Sequence, residues 1–275
     1  MADPRPIGIF DSGVGGLSVW REIARQLPNE STIYFADQAH VPYGPRGTEQ
    51  IRHFSEQITR FLIGHDCKAV VVACNTASAA ALKHLRETFP ELPTIGMEPA
   101  VKPATESTRT RVVGIMATPA TFQGKLFQAT AGRHAQGITL ISQVCTGLAE
   151  QIEAGKLNDT DTEQMLRGFI QPMLDADADT IVLACSHYPF ALDSIRRIAG
   201  PQVNVIDPAP AIARHLGRVL GERAIQAPIG SAAGHLFFTS GDVPAFRPAL
   251  LRLVGQDGPI RSVAWDADGN LGIAG

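Results

Sequence analysis

Apolar residues gather in short blocks separated by amphipathic stretches. The runs IGIF at 7–10, TIYFA at 32–36, AVVVA at 69–73, VVGIMA at 112–117, ITLIS at 138–142, TIVLA at 180–184 and NVIDP at 204–208 read as buried strands, and HLFFTSGD at 235–242 returns to strand character. Helical spacing fills 17–26, 48–64, 78–88, 124–131, 161–175, 190–199 and 209–224. Strands that are apolar along their length are covered on both faces, so the alternation predicts α/β architecture with mainly parallel sheets.

Two of these strands end alike. AVVVACNTA at 69–77 and TIVLACSHY at 180–188 each run through apolar residues into an Ala-Cys pair and then a polar residue. Parallel α/β sheets bind ligands beyond the carboxyl ends of their strands. Asn75 and Ser186 are suited to begin the helices that follow, which would set Cys74 and Cys185 near the positive ends of helix dipoles and favour thiolate over thiol. A duplicated thiol of this kind predicts two similar α/β domains flanking a central active-site cleft. The first comprises 1–98 with 209–275 and carries Cys74; the second comprises 99–208 and carries Cys185.

Composition narrows the function. With 24 Lys and Arg against 27 Asp and Glu in 275 residues, the formal charge is −3, without the basic excess that binding a nucleic-acid backbone requires. No apolar run is long enough to span a membrane, and MADPRPIGIF lacks the cationic and apolar regions of a signal peptide. The four cysteines are too scattered for a disulfide framework, so free thiols and a cytoplasmic location are expected.

The candidate residues each have a plain alternative. Cys67 and Cys145 read as small buried hydrophobes, whereas Cys74 and Cys185 stand open between packing and chemistry. His187 follows Cys185 closely, which suits proton transfer, but no further Cys or His completes a zinc set. FDSGVGG at 10–16 has neither dinucleotide nor P-loop spacing; its Asp11 and Ser12 either cap a helix or face a ligand. VPYGPRG at 41–47 is a loop in which Tyr43 and Gly44 offer a hydroxyl and a bare backbone N–H. Glu153, in GLAEQIEAG, reads as a solvated charge that periodicity does not separate from Glu150.

Taken in order, IFDSGVGGLSV at 9–19, VPYGPRG, ACNTASA at 73–79, ATPATF at 117–122, ACSHYP at 184–189 and FTSGD at 238–242 resemble the motif set of glutamate racemases over nearly the whole chain. The resemblance implies cofactor-independent interconversion of L- and D-glutamate for peptidoglycan synthesis, and hence cell-wall biogenesis and cell shape. It implies Cys74 and Cys185 as the catalytic cysteines, with Asp11, Glu153 and His187 as assisting acid-base residues. Substrate contacts are implied at Asp11, Ser12, Tyr43, Gly44, Asn75, Thr76, Thr121, Ser186 and His187. No cofactor, metal, membrane or nucleic-acid partner is expected, and the expected assembly is a homodimer. Ala184 and Ser186 replace the family's usual glycine and threonine, and Pro208 its usual serine. The competing readings are a two-cysteine racemase of aspartate or a hydantoin, and a non-catalytic small-ligand binder of the same fold.

Overall fold

The computed structural model describes residues 2–98 and 100–273. In chain order its elements are β1 (Ile7–Asp11), α1 (Leu17–Gln26), β2 (Thr32–Ala36), α2 (Thr48–Gly64), β3 (Ala69–Val72), α3 (Asn75–Thr88), β4 (Thr94–Gly96) and α4 (Val101–Ser107). There follow β5 (Val112–Ala117), α5 (Pro119–Gln123), α6 (Lys125–His134), β6 (Thr139–Val144), α7 (Leu148–Glu153), α8 (Thr160–Asp175) and β7 (Thr180–Ala184). After a 3-10 turn at Tyr188–Ala191 come α9 (Leu192–Ala199), β8 (Asn204–Ile206), α10 (Ala209–Glu222), β9 (His235–Thr239), α11 (Val243–Val254), β10 (Ile260–Trp265) and β11 (Leu271–Ile273).

The chain forms two compact units. One takes the residues up to Met97 together with those from Ala209 onward; the other is Glu98–Pro208. The first unit holds a sheet in the order β11-β10-β9-β2-β1-β3-β4, parallel except where β11 pairs antiparallel with β10. Alternate residues serve alternate faces. Phe10, Phe35, Val70, Val72 and Phe238 pack with Ile51, Ile58 and Leu62 of α2 and Ala77, Ala81 and Leu85 of α3. On the other face the Phe237 ring meets Trp20 of α1 and Tyr34, and Tyr34 stacks on Phe246 of α11.

The second unit has a four-stranded parallel sheet in the order β6-β5-β7-β8. Met116, Ile181 and Leu183 face Leu148 and Ile152 of α7, Leu166, Ile170 and Met173 of α8, and Ile195 of α9. Val113, Ile115, Val182 and Ala184 face Val101 and Ala104 of α4 and Phe127 of α6. Each sheet is thus covered on both sides, which is why its strands read as unbroken apolar runs.

Two local details depart from the pattern in the sequence. Helix α3 begins at Asn75 rather than at 78, because Cys74 itself is its N-cap: the sulfur accepts the Ala77 N–H at 3.4 Å. The polar residue suited to capping is instead the first helical residue. After Cys185 no α-helix starts directly; the 3-10 turn has proline in its first turn, and α9 begins only at Leu192.

Candidate active site

In the first unit the parallel strands deliver their carboxyl ends to one edge of the sheet. Past the formal strand ends, Ala73 N–H donates to the Phe10 carbonyl at 2.8 Å and Asp37 N–H to the Asp11 carbonyl at 3.0 Å. Asp11, Asp37 and Cys74 therefore leave three neighbouring strands at the same level. Asp11 is fully buried, and its Oδ2 accepts the Gly13 N–H at 2.9 Å, turning the chain into the glycine-rich bend before α1. Glycine is required at position 16 for close approach: a Cβ there would lie 2.6 Å from Asp11 Cβ and 2.9 Å from both Ala73 Cβ and the Tyr34 hydroxyl.

Cys74 Sγ lies 3.9 Å from Ser12 Oγ, with both residues buried. Its place at the N-terminus of the fourteen-residue α3, facing a backbone N–H, is one where anionic sulfur is stabilised. Asn75 and Thr76 form the first turn of that helix and are buried as well. Among the described residues neither side-chain atom of the Asn75 amide finds a hydrogen-bond partner. A buried amide left so costs about 1–3 kcal/mol, and such an exception asks for a functional reason. Tyr43 joins the apolar cluster that includes Cys74, and its hydroxyl donates to Asp37 Oδ2 at 2.6 Å. The Tyr43 hydroxyl, expected to face a ligand, thus gives its hydrogen bond to Asp37, and Gly44 follows half-buried.

In the second unit Ala117 of β5 is level with Ala184 of β7, so the segments beyond both emerge side by side. Thr118 caps α5, accepting the Thr121 N–H at 3.4 Å, with the two hydroxyls 3.1 Å apart and Thr121 buried. Cys185, Ser186 and His187 are all buried. The helix-dipole expectation fails for Cys185, which has no α-helix following it directly. A charge chain takes that place: His187 Nδ1 lies 3.8 Å from Cys185 Sγ, and His187 Nε2 lies 2.7 Å from Glu153 Oε1. Glu153 ends α7, which Leu148 and Ile152 anchor in the core, so the carboxylate is a positioned partner rather than a solvated charge.

Burial opposes an imidazolium at His187, but the hydrogen bonds to Cys185 and Glu153 outweigh it and hold the pKa well above the ordinary histidine value. With both ring nitrogens protonated, His187 donates to the sulfur on one side and to the carboxylate on the other. The other two cysteines differ. Burial pushes the Cys67 thiol up to about 12, and it pushes Cys145 up strongly too, leaving both as packed thiols.

Asp37 and Tyr188 also stand at these sites, although no candidate role attaches to them in the sequence. The Tyr188 hydroxyl donates to the Cys145 carbonyl at 3.4 Å, and burial, with Cys185 beside it, raises the phenol pKa well above its usual value. The signal for Asp37 was the one that marked Asp11: a carboxylate immediately after a buried strand.

Residues 7–216 match the family model described as Asp/Glu/Hydantoin racemase. A glutamate racemase from Roseiflexus sp. (strain RS-1) is 47% identical over 250 residues, spanning 90% of this chain and 92% of that protein. The crystal structure of a glutamate racemase isoform from Bacillus anthracis matches with a TM-score of 0.87 at 34% identity, covering 94% of this chain and 97% of the other. The crystal structure of glutamate racemase from Francisella tularensis in complex with D-glutamate matches with a TM-score of 0.84 at 30% identity, covering 96% and 99% of the two chains.

Proposed function

The chain belongs to the Asp/Glu/Hydantoin racemase family, and on that premise we propose that it interconverts L- and D-glutamate by proton transfer between Cys74 and Cys185. The observation that carries the proposal is that each compact unit sets one buried cysteine just beyond the carboxyl end of a central strand, beside polar groups suited to proton transfer. The glutamate racemases similar to it over most of its length favour glutamate over aspartate or a hydantoin.

Inverting an α-carbon requires a base on one face and an acid on the other. One cysteine, as thiolate, takes the α-proton and becomes a thiol; the other, as thiol, gives its proton to the opposite face and becomes a thiolate. By resemblance Cys185 removes the proton of L-glutamate and Cys74 that of D-glutamate. The intermediate gains negative charge beside a carboxylate, and preorganised donors must hold it because no electron sink takes part. The hydroxyls of Ser12, Thr76, Thr121 and Ser186, the Asn75 amide and backbone N–H groups at Gly44, Asn75 and Thr76 are the donors assigned. Asp11 accepts from the substrate ammonium, and the Glu153–His187 pair stabilises Cys185 thiolate. The product would supply peptidoglycan synthesis in the cytoplasm, a compartment that suits four free cysteines.

Isotope exchange tests the assignment. In heavy water, Cys74→Ser should lose racemisation in both directions yet still exchange the α-proton of L-glutamate, and Cys185→Ser should exchange only that of D-glutamate, as followed by NMR. Normal racemisation by both variants, or exchange of the same enantiomer by both, would overturn the two-thiol mechanism. Aspartate run in parallel should show no comparable exchange.

A further inference from the structure

The Asp37 carboxylate is fully buried and gathers hydrogen bonds from segments far apart in the chain. The Tyr43 hydroxyl donates to Oδ2 at 2.6 Å, the Trp265 indole to Oδ1 at 2.8 Å and the Ser240 hydroxyl to Oδ1 at 2.8 Å, while His40 Nδ1 lies 3.0 Å from Oδ2. Ser240 in turn accepts the Ala39 N–H at 3.0 Å. His40 stacks on Phe54 with ring centroids 3.8 Å apart, and its carbonyl accepts from Arg46 Nε at 2.6 Å. The loop from 37 to 46 is thereby closed on itself and tied to the segments after β9 and along β10.

A buried carboxylate is expensive unless its acceptor sites are filled; here four donors fill them. Nothing in the proposed proton transfer uses Asp37. Its neighbour Tyr43 packs in the cluster that holds Cys74, and Gly44 follows. Burial and the Asp37 charge raise the Tyr43 phenol well above its usual pKa, so the hydroxyl remains a donor fixed on Asp37.

We propose that Asp37 is a positioning residue for substrate binding: through the Tyr43 hydroxyl it holds the Tyr43–Gly44 backbone in the orientation that receives glutamate. This rests on the racemase reading above, and it assigns a residue to which that reading gives no role.

Asp37→Asn isolates the effect. An indole only donates, so the new amide oxygen must turn to Trp265 and Ser240, placing the NH2 group against Tyr43. The Tyr43 hydroxyl then loses its charged acceptor and can only accept from that NH2 group, a weaker neutral hydrogen bond of reversed direction that holds the loop less firmly. KM for both enantiomers should rise about tenfold while kcat stays within about threefold, the pattern of lost ground-state and transition-state binding together. Tyr43→Phe, which removes a single oxygen, should raise KM similarly, and the double variant should be no worse than either single one because the two act through one bond. A merely structural role would lower Tm and the active fraction and leave KM where it was.

An unchanged KM in Asp37→Asn, or additive effects in the double variant, overturns the proposal. Should Asp37→Asn fail to fold, Tyr43→Phe alone decides by the same KM criterion. Wild-type protein without glutamate turnover overturns the racemase reading itself, which is seen before any variant is compared.

Discussion

At the scale of single residues, His187 is held between Cys185 and Glu153, and the arrangement has a sign that can be tested. Its raised pKa means that the protonated ring is favoured by the fold. The stability it contributes is fully present below the ordinary imidazole value and is lost as pH rises through the raised folded value. His187→Asn should therefore lower Tm most at neutral pH and below, with the difference from wild type shrinking as the solution becomes alkaline. Removing the His187 ring also takes away the donor 3.8 Å from the Cys185 sulfur. That loss should cut L-to-D kcat/KM by about a hundredfold and leave proton abstraction by Cys74 less affected; an undiminished L-to-D kcat/KM would show that His187 does not serve Cys185. The placement of Cys74 and Cys185 just beyond strand ends was legible in the sequence because a strand end is a local pattern. Glu153 could not be separated from Glu150 along the chain, because its partner is His187, which only tertiary packing brings to it.

At the scale of elements, helices α1 and α2 follow the apolar spacing to both their ends, since each is an amphipathic segment laid on one sheet face. The cap of α3 did not follow it, because a cysteine sulfur replaced the side-chain oxygen that capping ordinarily uses. Other elements were hidden for physical reasons. Helix α11 carries prolines at its start and inside, β11 has three residues at the sheet edge, and β10 is half-covered and alternates in burial. The bend between β1 and α1 offers a direct test, since Gly16 has an ordinary helical φ of −63° and its requirement is space, not backbone freedom. Gly16→Ala forces a methyl against Asp11, Ala73 and the Tyr34 hydroxyl, a kind of overpacking that costs about 1–3 kcal/mol. Calorimetry should show Tm lowered by several degrees, and kcat/KM should fall at least about tenfold as Asp11 and the Cys74 segment shift. An alanine variant with wild-type Tm would mean that the bend yields freely.

At the scale of the whole molecule, the two units stand in different relations to the chain. The unit carrying Cys185 is one continuous segment with its own sheet and two apolar layers. The unit carrying Cys74 is closed by the residues after Ala209: β9 pairs with β2 over five residues, and the later helices cover the face that holds Trp20 and Tyr34. The returning segment contributes Phe237, Phe238, Phe246, Leu216 and Leu220, all fully buried. Each is worth about 1.5–3 kcal/mol, so together they rival the whole net stability of a typical domain, about 5–15 kcal/mol. A fragment ending at residue 208 should therefore keep the second unit folded and lose the first. Hydrogen exchange should find the amides of β5 and β7 protected as in the full chain and those of β1, β2 and β3 open, while residues 98–208 alone should melt cooperatively by circular dichroism. Neither fragment should racemise glutamate, because each lacks one of the two thiols in a folded setting. Protection of β1 to β3 in the shortened chain equal to that in the full one would show that the returning segment only decorates the first unit, and the energetic weight given to β9 and its flanking helices would be wrong.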